Sequence, residues 1–295
     1  MTLLHAVVAG ASGGTGRHVV ATLARDGRFE RVTALVRTPH DPATLREFYM
    51  LDDVPQSVSD RVVEVPLDTD NIGALSSAVD RPVDAFLTCL GIYTQDARDE
   101  EHFESVEIGM NLDIFKALSP TRAAYLSGWG VKRPSIEGNS WIQFARVKGK
   151  AEDALATAAG EGHFTAVRPG GIARRAIGKG KPVLGHFFIN LSAVTPLSVD
   201  ADDIARAMVW AVTRQDDAPP VLENSEIKAR AKDYVAEQKQ FLGRQWTARN
   251  GEIGDKEFFR PFISNGLRRL LDIGAVLGLQ KTRNGPNVQE HGVGP

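Results

Sequence analysis

Cysteine is nearly absent, with Cys89 alone in 295 residues. An intrachain disulfide is excluded, and a cysteine-based metal centre has no ligand set to draw on. No apolar run approaches the roughly 20 residues that a membrane-crossing helix needs. The opening residues 1–5 carry neither the cationic start nor the apolar stretch of an export signal, so a cytoplasmic location is expected. Charge of one sign is also missing. A formal net charge of −2 offers nucleic acid no basic excess. His18, His102 and His163 stand at no ligand spacing with cysteine or carboxylates, so no metal site is expected. Internal repeats and low-complexity tracts are lacking as well. What is present, 42% hydrophobic and 24% charged residues, suits one large domain or a domain with a small appendage.

The chain is organised around residues 3–37. Leu3, Leu4, Ala6, Val7 and Val8 read as a buried parallel strand that runs directly into Gly10-Ala11-Ser12-Gly13-Gly14-Thr15-Gly16. A helix follows, with Val19, Val20, Leu23 and Ala24 on one face and Gly27 as its stop, and then a second strand over residues 32–36. This is a βαβ unit with the spacing G-x-x-G-x-x-G at its first turn. Gly10 falls where the chain turns sharply, Gly13 where backbone approaches a pyrophosphate, and Gly16 where helix meets strand. Ser12, Gly14 and Thr15 complete a loop whose N–H groups, with the helix dipole behind them, favour phosphates. Dinucleotide binding is the expectation. A carboxylate closing the second strand would select an unphosphorylated ribose, but Arg37 stands there, and Arg17 is a second nearby cation. Guanidinium geometry suits a 2′-phosphate, so NADP(H) is favoured over NAD(H).

Further strands are expected at residues 62–65, 83–90, 123–126 and 164–167, alternating with helices near 44–51, 71–79, 100–117 and 140–158. Six strands in this alternation specify a doubly wound parallel sheet of Rossmann type, an α/β fold whose crevice lies at the carboxyl ends of its strands. Gly10, Arg37, Asp68, Gly91, Ser127 and Arg168 all converge on that edge. Asp68 is a candidate for the adenine, and Gly91 lets backbone pass close to the nicotinamide ribose. Cys89 reads as a packing residue. The 100–117 helix places Phe103, Val106, Met110 and Ile114 on one stripe.

At this point the chain resembles the atypical short-chain dehydrogenases/reductases. The set that carries the likeness is Gly10 to Gly16, Val106 to Asn111, Leu126-Ser127, Lys148-Gly149, Arg168-Pro169-Gly170, and Leu197 to Ala205. More narrowly, Gly10 to Arg17, Cys89-Leu90-Gly91, Val147-Lys148-Gly149 and Leu222-Glu223-Asn224 are similar to the Tat-interacting oxidoreductase group, itself NmrA-like and NADPH-binding. The likeness covers about residues 3–228 and implies cofactor contacts from Lys148, Arg168 and Pro169. It also implies a catalytic Ser, Tyr and Lys, with the tyrosine four residues before the lysine. Counting back from Lys148 gives Phe144, a ring that cannot donate a proton. Three readings stay open. Lys148, or Ser127 with a water, is the acid; Tyr93, just after the fourth strand, reaches the same spot; or the fold binds NADP(H) without turnover.

Residues 172–196 are expected on the substrate side. There Arg174, Arg175, Lys179 and Lys181 precede Phe187, Phe188 and Ile189, which suits an anionic, partly aromatic small molecule. The domain is expected to span 1–228, followed by a helical extension over 229–281 and a disordered tail over 282–295. Phe258, Phe259, Phe262, Leu270 and Leu277 are expected to bury against the body or across a homodimer. Arg260, Arg268, Arg269 and Lys281 keep a membrane surface open as a third partner for residues 256–281. The function expected is an NADP(H)-dependent oxidoreductase, or cofactor-assisted isomerase, for a small carbonyl, quinone or conjugated alkene. The alternative is a catalytically silent NADP(H)-binding sensor or scaffold.

Overall fold

The structure, a computed structural model, describes residues 3–80, 82–92, 94–160, 162–173, 198–214 and 218–250, with side chains to residue 241. Tyr93, the basic loop from Arg174 onward and the segment 256–281 lie outside the described residues. By contact the chain divides into Met1–Gly243 and Arg244–Pro295.

The first unit is built on a seven-stranded sheet. In chain order its strands are β1 (Leu4–Ala9), β2 (Phe29–Val36), β3 (Val62–Pro66), β4 (Ala85–Thr88), β5 (Arg122–Leu126) and β6 (Phe164–Arg168). A small parallel pair, β7 (Gly171–Ala173) and β8 (Ser198–Asp200), precedes the last sheet strand, β9 (Val221–Glu223). The sheet order is β3-β2-β1-β4-β5-β6-β9, parallel throughout. The seventh strand, β9, extends the six read from the sequence. It is three residues long, too short to show a period.

Both faces of this sheet are covered, which explains why β1 is apolar at successive positions instead of alternating. Ala6 and Val8 join a core with helices α1 (Gly16–Arg25) and α5 (Ala201–Val212). Val7 and Ala9 join the opposite core, with α3 (Asn111–Leu118) and α4 (Gln143–Ala159). The chain reverses its winding between β1 and β4, so the Gly10–Gly16 loop opens at the switch point where such sheets take ligands.

Two local expectations are corrected. Gly27 does not stop α1 by a left-handed turn, since the helix ends at Arg25 with an extended Asp26 after it. Gly27 is small for another reason: a Cβ there would lie 2.7 Å from the Phe241 ring, on helix α6 (Asn224–Asn250). That helix begins before the expected boundary at 228, and its Ile227, Ala231, Tyr234 and Phe241 are buried. The helix before β5 is also not regular. A π-helical turn over Ser105–Met110 joins α2 (Glu100–Glu104) to α3, and the buried face runs Phe103, Glu107, Asn111 and Ile114 in place of the apolar stripe through Val106 and Met110.

Candidate functional site

The phosphate end of the crevice is made by backbone. Gly10 has φ +69, and a Cβ on it would lie 2.6 Å from the carbonyl carbon of Cys89 and from the nitrogen of Leu90. Only glycine permits both the turn and this approach of β1 to the chain after β4. A Cβ on Gly16 would overlap the Gly10 carbonyl oxygen. Gly13 donates its N–H to that same oxygen at 2.9 Å, closing the loop on itself. Ser12 and Gly13 are exposed, Gly14 is half-buried and Thr15 is buried. Thr15 begins α1 without capping it, the first turn itself holds no acid, and Asp202 of α5 meets that turn at His18 Nδ1, 2.7 Å away. This cradle fits a dinucleotide pyrophosphate.

The adenosine end is anchored by a residue that sequence reasoning missed. Glu64 of β3 accepts the His40 backbone N–H at 2.5 Å, the His40 ring Nδ1–H at 2.9 Å and the Tyr49 hydroxyl at 2.7 Å. The turn after β2 is thereby tied down, with Arg37 and Thr38 left exposed on it. Burial, and then Glu64, push the Tyr49 phenol above its ordinary range. The Arg17 guanidinium lies 4.7 Å from the Phe48 ring, and loss of solvent lowers its pKa. Asp68 is exposed just past β3, its Oδ1 accepting the Asp70 N–H at 3.0 Å. Arg37 is thus exposed on a pinned turn, while Arg17 is half-buried against Phe48.

At the opposite end the ionisable groups are buried and joined to one another. Lys148 of α4 donates to Glu107 Oε2 at 2.9 Å, to the Tyr125 hydroxyl oxygen at 3.0 Å and to the Leu126 carbonyl at 3.3 Å. Tyr125 in turn donates to Glu107 Oε2 at 2.8 Å, and Ile92 N–H donates to Oε1 at 3.1 Å. Burial, and then the charge of Glu107, hold the Tyr125 phenol well above its ordinary range. A Cβ on Gly91 would meet Glu107 Oε1 at 2.6 Å, so this glycine makes room for a carboxylate. Thr88 donates to Asn111 Oδ1 at 2.5 Å, and Asn111 Nδ2 donates to the Glu107 carbonyl at 3.0 Å, fixing the π-helical turn to β4. Phe144 lies one turn before Lys148, its ring 5.6 Å from Nζ and packed near Gly128 and Phe103. Loss of solvent pushes the Cys89 thiol up to about 12, which removes it as a nucleophile.

Ser127 belongs to a second buried network. Its hydroxyl donates to Glu152 Oε1 at 2.5 Å. Arg168 grips the same carboxylate through Nε at 3.0 Å and Nη2 at 2.6 Å, then reaches Glu137 at 2.7 Å and Glu223 at 3.5 Å. Burial works against the guanidinium's charge, but the hydrogen bonds to Glu152 and Glu137 raise its pKa well above the ordinary value. The Pro169 carbonyl accepts the Trp129 N–H at 3.0 Å. The Arg168 guanidinium is thus engaged by carboxylates of the protein itself.

The structure thus brings Lys148 beside Tyr125 and Glu107, and sets Ser127 against Glu152. Glu107 and Asn111 were legible in the sequence only within the Val106 to Asn111 stretch that carries the family likeness, and Tyr125 only as part of the fifth strand. Among the described residues no three His, Cys, Asp or Glu side chains are grouped to hold a metal ion. No described helix is long and apolar enough to cross a membrane.

A family described as NAD(P)H-binding matches residues 10–215. No curated protein matches the sequence. Among solved structures, UDP-glucuronic acid 4-epimerase from Bacillus cereus in complex with NAD is similar at 15% identity and TM-score 0.52, over 75% of this chain and 76% of that one. A tyrosine-to-phenylalanine variant of ElxO with NADPH bound is similar at 15% identity and TM-score 0.54, over 75% of this chain and 96% of its own. The PhqB reductase domain from Penicillium fellutanum is similar at 17% identity and TM-score 0.51, over 72% of this chain and 65% of its own. At such identities the likeness is one of fold.

Proposed function

The chain belongs to this NAD(P)H-binding family, and from that premise we propose that it is an NADP(H)-dependent oxidoreductase acting on a small carbonyl, quinone or conjugated alkene. When bound, the cofactor supplies or takes the hydride. The observation that carries the reading is the Lys148 ammonium, buried beside a phenol and a carboxylate at the carboxyl edge of β5, where an oxygen-bearing substrate meets a doubly wound sheet. Lys148 can exchange its longest contact, to Leu126, for a substrate oxygen and hold or deliver a proton there. Ser127 keeps its oxygen as an acceptor while its O–H donates to Glu152. The preference for NADP(H) rests on Arg37 and Arg17 at the pinned turn, and the motif likeness to the Tat-interacting oxidoreductase group supports it. The ElxO variant named above retains NADPH with one tyrosine replaced by phenylalanine, which supports cofactor binding in a chain that has Phe144.

A second reading has its own observation. All three N–H groups of Lys148 and the hydroxyl of Ser127 are engaged within the protein, which favours a silent NADP(H) binder. Steady-state NADPH oxidation over a panel of carbonyls, quinones and conjugated alkenes separates the two. Turnover with any of them supports the oxidoreductase, and bound NADPH with no turnover across the panel supports the silent binder.

A further inference from the structure

A carboxylate at 1% side-chain exposure is costly unless it is held. Glu107 is held by three donors from three parts of the chain: Ile92 N–H at 3.1 Å, the Tyr125 hydroxyl at 2.8 Å and Lys148 Nζ at 2.9 Å. Stability alone is a poor reason for such a cluster, because well-packed apolar residues of similar volume commonly serve as well or better. Its two oxygens face different elements. Oε1 fixes the Gly91–Ile92 backbone after β4, and Oε2 fixes the ammonium of α4 and the phenol of β5. Within the π-helical turn over Ser105–Met110 position 107 is buried while Val106 and Ile108 on either side are only half-buried, so the turn presents its carboxylate inward.

We propose that Glu107 is the positioning residue for the cofactor's nicotinamide end. It sets the Gly91–Ile92 backbone against the Lys148 ammonium, and the Tyr125 hydroxyl supplies beside that ammonium the phenol that position 144 lacks. The inference rests on nucleotide binding in this crevice and does not require turnover. Lys148 donates to three acceptors, of which Leu126 O at 3.3 Å is the farthest. A ribose hydroxyl can replace that contact while the Glu107 pair stays intact. A carboxamide at 107 would keep the shape of the side chain but leave Lys148 without its counter-ion.

The test uses the full chain, titrated with NADPH and separately with NADH, and reads both affinity and the emission of the bound nicotinamide. Glu107→Gln should weaken NADPH binding by about tenfold or more, the scale of one charge-assisted contact, and should shift the emission. With Lys148→Met already present, the same change should have a much smaller effect, because its partner is gone. Tyr125→Phe should shift the emission in the same direction by less. Melting curves on the same samples separate folding from positioning. A Glu107→Gln protein with unaltered affinity and emission overturns the proposal whatever its melting temperature, and so do effects that add independently of Lys148. If Glu107→Gln does not fold, Tyr125→Phe decides, and an unaltered emission there overturns the proposal. If the unmutated chain takes neither nucleotide, the binding reading fails first and the inference falls with it.

Discussion

The two ends of the crevice are built on opposite plans. The β1–α1 end is made of backbone and one exposed cation: an uncapped helix start, glycines that exclude a Cβ, and Arg37 on a turn that Glu64 pins from beneath. At the β5–α4 end the ionisable side chains are buried and satisfy one another, Lys148 with Glu107 and Tyr125, Arg168 with Glu152, Glu137 and Glu223. At the first end Ser12, Gly13 and Arg37 face solvent, while at the second the side chains bond one another, so a ligand there competes with bonds already made. Affinity should therefore come mainly from the first end, while the second sets orientation and any chemistry.

The largest break in this contrast is Arg168→Met. It leaves Glu152, fully buried, and its two neighbouring carboxylates without their cation, and should destabilise the fold by about 3–5 kcal/mol in denaturant unfolding. A loss within experimental error would mean that the network is solvated and the closed end is not closed. Next in size, Lys148→Ala should lower turnover by ~10²-fold or more if Lys148 handles the substrate oxygen, with the melting temperature as control. Turnover unchanged by Lys148→Ala would remove it from the chemistry. Phe144→Tyr should alter turnover only modestly, because a phenol already stands 3.0 Å from Lys148. A gain of several orders of magnitude would show instead that the helix phenol was the missing part.

The smallest effect is one of acidity. The hydrogen bond from Arg168 is the main cause holding the Glu137 carboxyl below its ordinary value of 4.5. A depressed folded-state value gives stability that is present above about pH 4.5 and lost as the pH falls through the folded value. Burial raises Glu223, which works in the opposite sense and on the other side of 4.5: its contribution is present below about pH 4.5 and lost as the pH rises through the folded value. Glu137→Gln should therefore flatten the acid side of the stability profile. An unchanged profile would place the acid sensitivity elsewhere.

How much could be read from the sequence divides along the same line. The β1–α1 unit was legible because it is local: the glycine spacing, helical period and second strand all lie within about 37 residues and agree with one another. The closed end was not, because its partners are far apart in the chain. Glu107 meets Lys148 across 41 residues, and Arg168 meets Glu223 across 55. Along the helix before β5, Val106 and Met110 are only half-buried while Glu107 and Asn111 face inward. The stripe Phe103, Glu107, Asn111 and Ile114 fits the helical period as well, and its two polar members kept it from reading as the buried face. Gly27 shows the same limit on a smaller scale. Its spacing suggested a helix stop, whereas its size is required by Phe241.

The most direct test of the open end as the source of recognition is a paired titration of the unmutated chain with NADPH and NADH. A charge-assisted contact to the 2′-phosphate contributes about 1.5–3 kcal/mol, so NADPH should bind at least about tenfold tighter, and Arg37→Ala should remove most of that difference. Equal affinity of the unmutated chain for the two nucleotides would contradict the assignment.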